Sequence, residues 1–200
     1  MSRIRTRAAA TAAVIGIAAA PVGIAKAGQH PHGDHGTPAP PPAAQQPAPT
    51  PAPVDAATFV AQATQSNTFE IVSSRLALER AKDPAVERIA EHLIHDHTMA
   101  QEKLAATAAE VGIEAPAPSL NAEQQATVDA LKGLWGNAFD EAYLQAQVKA
   151  HQEAIALFVG FASVDANPRP LRLLAIATLP ILGQHLGEVN AVLAGSGHDH

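Results

Sequence analysis

Apolar residues recur at alternating spacings of four and three along four stretches of the chain, and capping residues bound each stretch. In the second, the stripe is Val86, Ala90, Leu93, His97, Ala100, Leu104, Thr107 and Val111. This is the buried face of a helix in a bundle. Asp83-Pro84 starts it with a carboxylate cap and a proline in the first turn, and Gly112 stops it. The first helix runs from about Asp55 to Lys82, with Phe59, Ala63, Ser66, Glu70, Ala77 and Ala81 on one face. Asn121 and Gln124 have the spacing of a capping box and open a shorter helix to about Leu134. Asn137, with Asp140 three residues on, caps a long helix to about Val164, whose stripe is Leu144, Val148, His151, Ile155, Phe158 and Ala162. Asn167-Pro168 starts the last helix, whose stripe is Leu171, Leu174, Thr178, Ile181, His185, Glu188 and Val192, and Gly195 ends it. Strand alternation and hairpin dipeptides are absent, so residues 55–195 are expected to form an all-α domain, a four-helix bundle with one extra short helix.

Each long helix carries one metal-ligand type of residue in its stripe: Glu70, His97, His151 and His185. Spacing places them at similar heights. Glu70 lies 13 residues before Asp83 and His97 lies 14 after it, while His97 is 15 before Gly112 and His151 is 14 after Asn137. His185 is 18 beyond Asn167 and His151 16 before it, a mismatch of about half a turn, or ~3 Å. Pro180, five residues before His185, is expected to kink the last helix. Side chains converging at mid-height are how bundles build metal sites. One glutamate and three histidines suit a single divalent ion, with zinc or copper ahead of iron because imidazoles dominate. The competing arrangement is a buried polar cluster in which Glu70 holds a protonated imidazole. Asp96, Tyr143 and Glu188 are candidates for supporting the ligands, and His92 and His95 fall off the stripe toward solvent.

Composition narrows the partners. The net charge is −6, with 13 Lys+Arg spread along the chain and no basic patch, so nucleic acid is excluded as an expected partner. Cysteine is absent, which removes disulfides, thiolate metal sites and a lipid-modified cysteine. Arg3, Arg5 and Arg7, the apolar run Ala8–Ala20 and Ala25-Lys26-Ala27 describe a secretory signal over residues 1–27. Export to the periplasm or outer membrane follows, with no transmembrane span in the mature chain. Residues 28–54 are His- and Pro-rich and expected to be a disordered tether, and residues 196–200 are a short His-containing tail. Cleavage before Gly28 would expose Gly28-Gln29-His30, whose amine, amides and imidazole could wrap Cu(II) or Ni(II).

Certain stretches carry a resemblance: Phe59-Val60 with Glu70 and Leu78, Ile94-His95-Asp96-His97, Gly136 to Asp140 with Tyr143, His151-Gln152-Glu153, and Leu179-Pro180 through His185-Leu186. In these, spanning about Thr58 to Leu193, the chain resembles an exported bacterial family known as domain of unknown function 4142, whose members are often labelled outer-membrane proteins. The resemblance implies a ferritin-like four-helix bundle and brings no settled activity. Di-iron sites of that wider class use two Glu-x-x-His pairs, but here Ile94 precedes His97 and Val148 precedes His151 by three. A mononuclear metal-binding bundle is therefore the first expectation. A metal-free envelope protein acting through its surface, with unknown protein partners, is the second. A mononuclear metal enzyme is the third.

Overall fold

A computed structural model describes residues 54–196. The expected signal, almost all of the tether, the Gly28-Gln29-His30 site and residues 197–200 lie outside the described residues. Five helices follow in order: α1 (Ala56–Arg80), α2 (Pro84–Glu110), α3 (Ala122–Leu131), α4 (Gly136–Ala162) and α5 (Arg169–Ser196). Among the described residues there is no strand. No helix among them is long and apolar enough to cross a membrane.

The caps account for the boundaries. Asp55 accepts from the Thr58 backbone N–H at 2.9 Å, and Asp83 accepts from that of Ala85 at 2.8 Å. Asn121 and Gln124 close a reciprocal box. At the end of α2, Gly112 takes a φ of 74° and Ile113 N–H turns back to the Ala108 carbonyl at 2.9 Å. The start of α4 differs from expectation. The helix begins at Gly136, whose φ of 61° makes the sharp turn, so Asn137 is already inside the first turn and Trp135 occupies the cap position.

Asp140 consequently caps something else. Its buried carboxylate accepts from the backbone N–H groups of Lys82, at 3.1 and 3.2 Å, and Asp83, at 3.0 Å. It thus pins the α1–α2 turn to α4. Asp140→Ala would leave two part-buried backbone donors at the α1–α2 turn without a partner and should cost about 1–2 kcal/mol in chemical denaturation, with Asp140→Asn recovering part of the loss.

The core comes in two apolar halves. One contains Phe59 and Ala63 of α1, Leu104 and Ala108 of α2, Phe158 and Phe161 of α4, and Leu171 and Leu182 of α5. The other contains Leu76 and Ala77, Val86 and Leu93, Phe139 and Leu144, and Val189 of the same four helices. The order in which each helix meets the halves gives its direction: α1 and α5 run one way, α2 and α4 the other. The neighbouring pairs α1–α2, α2–α5, α5–α4 and α4–α1 are all antiparallel. Because α2 and α4 are parallel, residues 111–135, including α3, must travel back along the bundle. This single long crossover is the ferritin-like arrangement.

The apolar stripe drifts along α5 and is offset by one residue in α4. In α5 the buried positions are Leu171, Leu174, Ala175, Leu182, His185 and Val189, while Ile181 is 46% exposed and Glu188 is half-buried. A helix turns every 3.6 residues, so a strict seven-residue repeat slips by about 20° per heptad. Leu182 and Val189 accordingly take the core places the repeat assigned to Ile181 and Glu188. In α4 the offset runs the other way and does not grow: Gln147, Ala154 and Phe161, each one residue earlier, are buried where Val148, Ile155 and Ala162 were expected, and these three are only partly buried. The α5 helix runs unbroken through Pro180.

Candidate metal centre

Between the two apolar halves lies a layer of buried polar side chains: Asn67, Glu70 and Ser73 of α1, His97 of α2, Gln147 and His151 of α4, and His185 of α5. The three histidines are 3%, 1% and 2% exposed. Their rings form a near-equilateral triangle, with centroids 5.7 Å apart for His97–His151 and 5.5 Å for the other two pairs. One ring nitrogen from each lies within 4.8 Å of the other two.

Hydrogen bonds at the far edge of each ring fix which nitrogen faces inward. His97 Nδ1 donates to Asn67 Oδ1 at 2.9 Å, and the Asn67 amide is itself oriented by donating to Gln101 Oε1 at 3.2 Å. His151 Nδ1 donates to the Gln147 backbone carbonyl at 2.9 Å. His185 Nε2 donates to Asp96 Oδ2 at 3.1 Å. Each acceptor takes the ring's single proton, so His97 Nε2, His151 Nε2 and His185 Nδ1 carry lone pairs. These three atoms are buried and have no hydrogen-bond partner. A buried polar atom without a partner ordinarily costs about 1–3 kcal/mol. Three such atoms meeting in one place, each held by a partner behind it, is the arrangement of imidazole metal ligands. Bonds of about 2.0–2.1 Å to one ion call for nitrogens closer together than the 4.8 Å limit within which these lie.

Electrostatics keeps the ligands in the metal-binding form. Burial depresses the His97 imidazole well below its usual range, aided by the neighbouring His151 and His185. Burial lowers His151 to about 4, opposed by the hydrogen bond that its ring donates to the Gln147 carbonyl. His185 is lowered by burial too, with Asp96 pulling the other way. All three are neutral at pH 7, and a metal displaces no proton from them.

Glu70 stands apart from this group. Its carboxyl lies 3.6 Å from His151 Nδ1, the edge turned away from the triangle, and neither of its oxygens belongs to the cluster of ligand atoms. The stripe brought it to the right helix face and height, but the ring it meets presents its back. Burial pushes Glu70 well above the usual carboxylate range. A neutral carboxyl donates its hydroxyl to the amide oxygen of Gln147, which it touches. Gln147 Nε2 then donates to Ser73 Oγ at 2.9 Å, and that hydroxyl donates to the Phe69 carbonyl at 2.7 Å. An ionised Glu70 would require the Gln147 amide to turn over. The folded state thus holds a proton on Glu70 that the unfolded chain releases above about pH 4.5, so this residue's stabilising effect is lost as pH rises. Glu70→Gln, which keeps the donor, should make the metal-free protein more stable than the parent at pH 7. The two should converge by pH 4.5 in urea titrations.

The remaining candidates fall at the rim. Asp96 Oδ2 bridges His185 Nε2 and His92 Nε2, the latter at 3.3 Å, and Glu188 Oε2 meets His92 Nδ1 at 3.2 Å. His92, expected in solvent, is therefore half-buried between two carboxylates, reached because α5 packs beside α2. His95 is exposed. Tyr143 donates to or accepts from Ser74 at 2.8 Å and packs on Phe139, away from the histidine rings. Asn67 and Gln147, which orient two of the rings, were the residues that the pattern of the sequence did not single out. Both share a helix face with an identified residue, three before Glu70 and four before His151.

Comparison with known proteins gives a family and a fold. The chain matches the family described as "Domain of unknown function (DUF4142)" over residues 39–192. A DUF305 fragment from Deinococcus radiodurans is similar in structure, with a TM-score of 0.61 at 16% identity, covering 69% of this chain and 94% of that one. CopM in its Cu(II)-bound form has a TM-score of 0.58 at 14% identity, covering 69% and 95%. A DUF305 protein from Streptomyces coelicolor, provisionally described as secreted, has a TM-score of 0.58 at 14% identity, covering 72% and 94%. At such identities the likeness is one of fold. No curated protein matches the chain.

Proposed function

The chain belongs to the DUF4142 family, and from that premise we propose that it is an exported metal-binding bundle holding one copper or zinc ion between His97, His151 and His185. The observation carrying this reading is the meeting of three buried, unpartnered imidazole nitrogens from three different helices. Neutral imidazoles suit copper and zinc better than magnesium or calcium, which prefer oxygen donors. The CopM structure with the same fold was obtained with Cu(II), which supports copper among the two. Asn67, the Gln147 carbonyl and Asp96 would orient the rings, and Glu70 would sit beside His151 as a neutral acid. Export rests on the N-terminal pattern, and the provisional description of the Streptomyces coelicolor protein agrees with it.

Elemental analysis of untagged protein tests the proposal. After loading and desalting, about one copper or zinc per chain is expected, with calcium and magnesium at background. An alternative in which the polar layer is purely structural predicts no retained transition metal and no effect of chelator on melting.

A further inference from the structure

Building on the three-histidine reading, we propose that the remaining coordination position faces a cleft between α2 and α5. There it would take an organic ligand with one nitrogen or oxygen donor on an apolar body. Among the described residues, no fourth His, Asp or Glu joins the cluster of ligand atoms. Three protein ligands leave at least one position for an outside donor, the pattern of open rather than structural sites. The two histidines that bring His97 Nε2 and His185 Nδ1 to the cluster also line a cleft of about 610 Å³. Its other walls are largely apolar, from Leu104, Phe158, Leu174 and Leu182 inside to Met99 and Ile181 at the mouth, which are 54% and 46% exposed.

The cleft has a cause in the sequence. Ala100 and Thr178 belong to the apolar stripes of α2 and α5, and together with Ile181, turned out of the core by Leu182, they line the opening. The small side chains of Ala100, Ala106 and Ala177 between the two helices leave the apolar surface uncovered. A mostly apolar cavity of a few hundred Å³ ending in a few polar atoms is the usual form of a site for an organic molecule. The nitrogens themselves are buried behind the His97 and His185 surfaces that line the cleft, so a donor would reach the ion past those rings, and the walls would select what carries it.

Paired probes test this on Co(II)-loaded protein, followed by its visible ligand-field bands. Imidazole and 4-phenylimidazole offer the same donor and differ by one ring. Both should shift the bands, and 4-phenylimidazole should bind about tenfold or more tightly, as expected for burying a phenyl group. Ala177→Trp, an exposed position on the cleft wall, should leave cobalt stoichiometry and imidazole affinity unchanged and remove the advantage of the larger probe. Equal affinity of the two probes overturns the role of the cleft. Full cobalt occupancy without any band shift overturns the open position. Equal binding of 4-phenylimidazole to metal-free protein overturns the need for the ion. Failure to retain cobalt at all defeats the three-histidine reading itself, and this proposal with it.

Discussion

Replacing His97 or His151 by alanine is expected to abolish stoichiometric binding of copper or zinc and, with it, the thermal stabilisation the ion confers. An ion present at about 100 times its dissociation constant stabilises the folded state by roughly 2.7 kcal/mol. For a domain of this size that raises the melting temperature by roughly 5–10 °C. Each variant removes one of three donors, and the two that remain come from separate helices. Calorimetry with and without chelator should show the shift in the parent protein and a flat response in either variant. The metal-free variants should still fold, because each substitution also removes a buried nitrogen that has no partner. Asn67→Ala gives a milder version: the His97 ring loses the acceptor that fixes its proton on Nδ1, and affinity should fall about 10- to 100-fold.

Acid should unfold the metal-free protein through the same histidines. In the unfolded chain an imidazole takes up its proton near pH 6.5, whereas folded His151 resists until about 4. Between those values the unfolded state binds more protons than the folded one, so stability falls as pH falls. His151 alone, at about 1.4 kcal/mol per unit, accounts for about 3 kcal/mol of that loss. His97 and His185 are depressed as well and act in the same direction. Glu70 opposes them, since its raised affinity for a proton favours the folded state as pH falls toward 4.5. Urea titrations at pH 7 and pH 4.5 with chelator present should therefore show a steep loss in the parent. His151→Leu should be flatter by about 3 kcal/mol. Bound metal should hold the imidazoles unprotonated and move the acid transition to lower pH.

The four long helices are legible in the sequence because stripe and caps agree at most ends, and the polar members of the stripes mark the layer that divides the core. Matched spacing brings His97, His151 and His185 together, although the match of 15 and 14 residues between α2 and α4 is that of a simple reversal after α2. The crossover through α3 makes α2 and α4 parallel. The heights still agree because both histidines sit near the middle of 27-residue helices, a position unchanged when a helix is turned end for end. What the spacing does not encode is which edge of a ring faces the centre. Glu70 has the right face and height yet meets the back of His151, since the proton on Nδ1 is claimed by the Gln147 carbonyl one turn earlier. Asn67 could have been noticed, because asparagine is disfavoured inside helices and this one shares a face with Glu70. The displacement of Ile181 by Leu182 needed only the difference between a period of 3.5 and one of 3.6.

X-ray absorption on the copper- or zinc-loaded protein examines the three-histidine centre most directly. Nitrogen scattering at about 2.0–2.1 Å is expected, with the more distant features of three imidazole rings, dropping to two in His97→Ala if any ion is retained. A spectrum of oxygen ligands alone, or one unaltered by replacing both His97 and His151, would contradict it.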